Sequence, residues 1–198
     1  SGTSLIDSAA LADTLTAQVQ RIDGINIVPV NRIFEAMAAN DMQAINSVGD
    51  VLTLIQTLEV DGLIVGTVSS WDPYDPPKIG MTIQLYSRRA PGGAAAVDSR
   101  SLTFAATDPR LPGTTRFNQP INQASGYFDA ANGEVLLRLR QYATGRTPYE
   151  SAAGWRRYLM NMDLYAEFVS HELTGQLVQR EWQRLTADPN AELPENQP

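Results

Sequence analysis

The chain has no cysteine and a single histidine, His171, among its 198 residues. The first absence removes thiolate nucleophiles, disulfides and thiolate-ligated metals together. The second removes most nucleophile–base pairs, which need an imidazole beside a hydroxyl or thiol. No phosphate-cradling glycine loop, dinucleotide fingerprint or hydrolase elbow occurs. No run of about 18 apolar residues occurs either, so no segment reads as a membrane span. Basic residues are few: 15 Lys and Arg against 22 Asp and Glu leave a net charge of −7. An acidic chain repels phosphate backbones, which argues against nucleic acid as a partner. The start is neither basic nor followed by an apolar core, so Ser1 does not open an intact signal peptide.

What is present is enough to fold. Hydrophobic residues make up 43% of the chain, and a chain of this length buries roughly 70% of its unfolded surface, so no metal or disulfide staple is needed. Leu5, Ala9, Ala12, Leu15, Val19 and Ile22 recur at helical spacing, with Ser4 and Asp7 as a capping pair and Asp23-Gly24 as the stop. Ile25 to Val30 is short, apolar and β-branched, which predicts a buried strand. Asn31 opens a second helix with Ile33, Phe34 and Met37 inward, and Asn40-Asp41 breaks it. Ser47 and Asp50 cap a third helix with a stripe of Val51, Leu54, Ile55 and Leu58.

After the Asp61-Gly62 turn, Leu63 to Val68 predicts a second buried strand. The segment Trp71 to Pro77 carries three prolines and cannot be a central strand. Ile79, Met81, Ile83 and Leu85 then alternate with Gly80, Thr82, Gln84 and Tyr86, a strand covered on one side and antiparallel to its predecessor. Further strands are expected around Leu102, Phe104 and Ala106 and over Ala124 to Phe128. Val135, Leu136, Leu139 and Tyr142 predict a helix ended by Gly145. A long helix after Gly154 carries Leu159, Met162, Tyr165, Val169, Leu173, Leu177, Trp182 and Leu185. The fold class is α/β: a mixed sheet with helices packed on it, plus a long C-terminal helix. The strand at Ile25 to Val30 and that at Leu63 imply a helical crossover, right-handed if the two are parallel. The expected division is an α/β domain over 1–128, a helical extension over 129–186 and a polar tail over 187–198.

Candidate chemistry is sparse. His171-Glu172 begins like a zinc-protease signature, but Gly175 stands where the second imidazole belongs. An ordinary polar helix face explains His171, with Glu167 one turn earlier. Asp72 and Asp75 are close enough to serve as a carboxylate pair, the basis of an alternative reading as a hydrolase or a calcium site. Turn chemistry explains them more simply, since Asp starts turns and Pro fixes them. Arg138, Arg140, Arg146, Arg156 and Arg157 cluster in sequence and suit either an anionic ligand or a solvated face paired with Glu134 and Glu150. No cofactor and no metal is expected.

The stretches "INIVPVNRIFEAM" and "SVGDVLTLIQTLEVDGLIVGTVSSWDPYDPPKIGMTIQLY" resemble a bacterial envelope domain. It is the domain shared by the curli secretion lipoprotein CsgG, the peptidoglycan-synthase activator LpoB and the N-terminal part of TolB. Val28 to Arg32 match its strand-end step, and Leu58-Glu59-Val60-Asp61 through Gly66 match its helix-to-strand step. The resemblance covers about residues 5 to 88, and its motifs are structural. It implies an αβ sandwich of the anticodon-binding-domain kind and export to the periplasm. It also implies outer-membrane tethering by a lipid upstream of Ser1, and a protein-binding role. The first strand and the lipid-bearing cysteine of that group are not in this sequence. A non-enzymatic assembly module is the expected function. Trp71, Asp72, Tyr74 and Asp75 form one candidate partner surface. Trp182 on the last helix forms another, suited to an envelope protein or to self-association.

Overall fold

A computed structural model describes residues 7–88, 119–147 and 152–187. In chain order these form helices α1 (Ser8–Val19), α2 (Val30–Ala39) and α3 (Val48–Thr57), then strands β1 (Gly62–Asp72), β2 (Lys78–Ser87) and β3 (Asn122–Asp129). Helix α4 (Gly133–Ala143), a 3-10 turn (Gly154–Arg156), helix α5 (Arg157–Met160) and the long helix α6 (Met162–Ala187) follow. The strands make one antiparallel sheet in the order β1-β2-β3. The α/β class and the long C-terminal helix are as the periodicity indicates.

The helix ends follow local chemistry. Asp7 caps α1 by accepting the Ala9 and Ala10 N–H groups at 3.0 Å each. Ser47 and Asp50 close a reciprocal capping box on α3: Asp50 N–H donates to Ser47 Oγ at 3.2 Å, and Ser47 N–H to Asp50 Oδ2 at 2.9 Å. Those bonds hold the Asp50 carboxyl below its ordinary range, with the Asn46 backbone N–H contributing most. Asn132 caps α4 through Glu134 N–H at 2.8 Å. Asn161, in extended conformation, separates α5 from α6 and accepts the Asp163 and Leu164 N–H groups at 2.8 and 3.2 Å. The single long helix expected after Gly154 is therefore divided at Asn161, whose side chain caps the main part.

The sheet has two unlike sides. Leu63 and Tyr86 share one core cluster, and a Cβ built on Gly80 would lie 2.6 Å from Ser69 Oγ. Leu63 therefore stands opposite Tyr86, and Ser69 opposite Gly80. Odd residues of β1 share a side with even residues of β2. On the other side Ile79, Met81 and Ile83 are fully buried, as are Ala124 and Phe128 of β3. Gly126 lies between those two, where a Cβ would come within 2.6 Å of the Phe128 ring. Leu15 of α1 and Met81 meet above Gly66, 4.0 and 3.4 Å from where its Cβ would be. Tyr165 of α6 donates its hydroxyl to the Phe128 carbonyl at 3.2 Å, and Phe128 and Phe168 meet edge to face with centroids 5.9 Å apart.

Two compact units are distinguishable: Ser1–Val30, Gly66–Ile83 and Ala124–Leu177 in the first, and Asn31–Val65, Gln84–Gln123 and Val178–Pro198 in the second. The first contains the core just described. In the second, Ala36 and Met37 of α2 and Val51, Leu54 and Ile55 of α3 pack on Leu63 and Tyr86. Each fully buried large side chain contributes about 1.5–3 kcal/mol, whereas a half-exposed ion pair such as Lys78–Asp129 (3.4 Å) contributes about 0–1. Apolar burial therefore decides which side of the sheet faces inward.

Three expectations need correction. Ile25 to Val30 is not a strand: residues 25–29 have no regular structure, Ile25 is 46% exposed, and Val30 already begins α2. Pro29 lacks the N–H that a sheet ladder needs, so β-branched composition mimicked a strand there. Without that strand there is no crossover, and the described sheet is antiparallel rather than mixed. Trp71 and Asp72 belong to β1, which runs four residues further than expected. The strand expected around Phe104 and the capping role of Ser4 lie outside the described residues. Replacing Leu54, which is fully buried, with Ala should cost about 2–5 kcal/mol by urea unfolding, while Ile25→Ala should stay within about 0.5 kcal/mol. Equal losses at the two positions would restore Ile25 to a buried strand.

Candidate functional site

The turn between β1 and β2 is narrow at its base and open at its tip. Pro77 is fully buried, its carbonyl accepts the Ala130 N–H at 3.0 Å, and Lys78 pairs with Asp129. Asp72 Oδ1 accepts the Tyr74 N–H at 3.2 Å, the side-chain turn that Asp favours. This bond places Tyr74 at the tip, 79% exposed. Asp75 is exposed beside it. The carboxylate pair thus lies in a solvated turn, with one member engaged by the backbone. Trp71 is half-buried on β1, on the side that carries Ser69. Of the four residues expected to form one surface, only Tyr74 and Asp75 project at the tip.

Trp182 lies on the C-terminal part of α6 and is 65% exposed; Val178, one turn earlier, is exposed on the same side. No helix among the described residues is long and apolar enough to cross a membrane.

A concave feature absent from the sequence reading lies within the second unit. It is an open groove of about 510 Å³, lined by Gln84, Gln119, Pro120, Ile121, Asn122, Gln123 and Arg180. Gln84 Nε2 donates to Gln123 Oε1 at 3.4 Å, and the Arg180 guanidinium donates to the Gln123 carbonyl. Asn122 Nδ2 donates to Glu181 Oε2 at 3.2 Å, and Arg184 holds the same carboxylate in two bonds of 2.9 and 2.6 Å. Burial opposes ionisation of Glu181, but the Arg184 and Asn122 bonds prevail and keep its carboxyl below the ordinary value. Its lining among the described residues is carboxamide, apolar and one guanidinium, which suits it to a polar ligand. The run Gln119-Pro120-Ile121-Asn122-Gln123 was the available sequence signal.

The titratable groups of the first unit gather around Tyr142. Its hydroxyl donates to Glu167 Oε1 at 3.0 Å, and Arg21 lies 3.9 Å from the same oxygen. The Arg146 guanidinium covers the Tyr142 ring at 4.3 Å and donates to the Tyr142 carbonyl at 2.8 Å. His171 lies against that ring, centroids 4.9 Å apart. Burial, then the Glu167 carboxylate, push the Tyr142 hydroxyl far above its ordinary value, and burial does the same to Tyr165. Burial, helped by Arg146, lowers the His171 imidazole. The remaining arginines are engaged separately. Arg138 meets Glu172 at 3.3 Å and Glu134 at 3.6 Å, Arg140 and Arg156 cover Trp155 at 4.4 and 5.4 Å, and Arg157 lies over Tyr158 at 5.8 Å. Glu150 lies outside the described residues. Among the described residues no three His, Asp or Glu side chains gather as a metal site.

Comparison with protein-family models, curated proteins and solved structures found no match for this chain.

An imidazole held below its ordinary value of 6.5 stays neutral in the folded chain, while the unfolded chain takes up a proton. Its stabilising contribution is complete above about pH 6.5 and is lost as pH falls toward the lower folded value. Between about pH 7 and 5, where carboxylates contribute little, stability should fall with pH, and His171→Gln should flatten that slope. Urea midpoints across this range give the measurement, and an unchanged slope in the variant contradicts the burial of His171.

Proposed function

We propose that this chain is a non-enzymatic binding module of a bacterial cell envelope, periplasmic or tethered to the outer membrane, and that it acts by docking another protein. The observation that carries the reading is Tyr74, a large ring almost wholly in water at the tip of a turn fixed at its base by Pro77 and within by Asp72. A pre-ordered turn loses little entropy on binding, and a tyrosine offers wide contact on few rotatable bonds. The chemistry found elsewhere is consistent with docking. The Tyr142 cluster is packed and internally paired, and the amide groove holds no group that could run a reaction. The envelope assignment rests on the sequence resemblance, of which Leu58 to Gly66 form the passage from α3 into β1. Val28 to Arg32, the other half of that likeness, enter α2 instead.

A second reading is self-association through α6, favoured by the exposed pair Val178 and Trp182. The two readings separate cleanly. A photo-crosslinking side chain placed at Tyr74 in the native host identifies the bound protein. Tyr74→Ala should then weaken binding of that protein by about 2 kcal/mol, roughly thirtyfold, with unfolding stability changed by less than about 0.5 kcal/mol. Sedimentation should show the Tyr74 variant unaltered in mass. If Trp182→Ala alone reduces the mass to that of a monomer, self-association through α6 takes the place of the loop reading. Loss of stability in Tyr74→Ala would mean the ring belongs to the interior.

A further inference from the structure

On one side of the sheet in the first unit several side chains lie outside the core. Thr67 and Ser69 of β1 and Ser125 of β3 are exposed there, and Tyr127, between Ser125 and Asp129 on the same side, is 60% exposed. Trp71 stands opposite Lys78 by the register of β1 and β2, so a second aromatic ring belongs to this side, half-buried. The two rings lie on strands that flank β2, two strand spacings apart across the sheet and two residues apart along it, or roughly 11–12 Å. Between them Gly80 has no side chain, and a Cβ there would strike Ser69 Oγ. The Ser69 hydroxyl fills the place of that missing side chain and Gly80 is buried, so small groups lie between the rings.

We propose that this side of the sheet binds a flat, neutral polysaccharide chain. The charge pattern selects the ligand. Among the described residues of the three strands, the charged groups on this side are Lys78 and Asp129, which pair with each other at 3.4 Å, and the whole chain carries −7. A polyanion is repelled by that net charge, and a cationic peptide finds its one carboxylate already occupied. An apolar helix would bury the Thr and Ser hydroxyls without partners, at a cost. A sugar chain meets each feature. Its ring C–H faces carry partial positive charge and lie against the negative faces of Tyr127 and Trp71. Its hydroxyls both donate and accept, as do those of Thr67, Ser69 and Ser125. Two successive sugar rings span about the separation of the two aromatic strands. This surface differs from the Tyr74 tip, so the two proposals stand or fall separately.

The test uses the full chain with cellohexaose and chitohexaose as neutral probes and heparin as the charged one, followed by titration calorimetry. Saturable binding of at least one neutral hexasaccharide, and none of heparin at physiological ionic strength, is the expected result. Tyr127→Ala should weaken that binding by roughly tenfold or more, Tyr127→Trp should retain it, and Tyr74→Ala should leave it unchanged. The exposed position of Tyr127 makes loss of folding an unexpected outcome, which thermal unfolding of each variant checks. Absence of binding to both neutral probes at millimolar concentration overturns the proposal. So does binding that Tyr127→Ala leaves intact, and so does a dimer that Tyr127→Ala dissociates, which would give this surface to a second copy of the chain.

Discussion

The burial of Ile79, Met81 and Ile83 on one side of β2 is the constraint from which the rest of the first unit follows. Side chains alternate along a strand, so fixing those three inward fixes Gly80 and Thr82 outward and sets the neighbours by register. Ala124 and Phe128 must join the inner side, and Tyr127 and Ser125 the outer one. Leu15 of α1 and the Tyr165, Phe168 and Val169 stretch of α6 then supply the cover. A one-residue slip would reverse every one of these placements, and the apolar area at stake far exceeds what the Lys78–Asp129 pair contributes.

The polar groups show the same economy. Arginines that cluster in sequence each meet a carboxylate or a ring face, with Arg140 and Arg156 sharing Trp155. Glu167 is taken by Tyr142 and Arg21, and Glu181 by Arg184 and Asn122. Exposed uncharged groups include the hydroxyls and Tyr127 on the sheet and the Tyr74 ring at the turn. Such groups are suited to contact, the basis of the binding role proposed above.

Much of the fold was legible in the sequence where pattern and local chemistry agreed. The Ile79 to Leu85 alternation, the Ser47–Asp50 box and the Asn132 cap each state their structure in the residues themselves. The segment from Ile25 to Val30 misled because β-branched residues fit a strand on composition, while Pro29 and the lack of a pairing partner decide otherwise. The exposed aromatics were only half legible. Tyr74 could be placed at a tip from its prolines, but Tyr127 reads as one more apolar strand residue until its side is known. Sidedness depends on register, and register depends on residues far apart in the chain. The amide groove was hidden for the same reason, since Gln84 and Arg180 meet residues 119–123 only through the fold.

The absence of native cysteine makes the two-sided sheet directly measurable. Ala124 and Ser125 are neighbours in sequence that lie on opposite sides of β3, one buried and one exposed. Single Ala124→Cys and Ser125→Cys variants, treated with a thiol reagent under native conditions, report each side alone. The cysteine at 125 should react at once, and the cysteine at 124 only when the chain is unfolded by urea. Prompt labelling at 124 together with protection at 125 would contradict the register and, with it, the assignment of every outward-facing residue on the sheet.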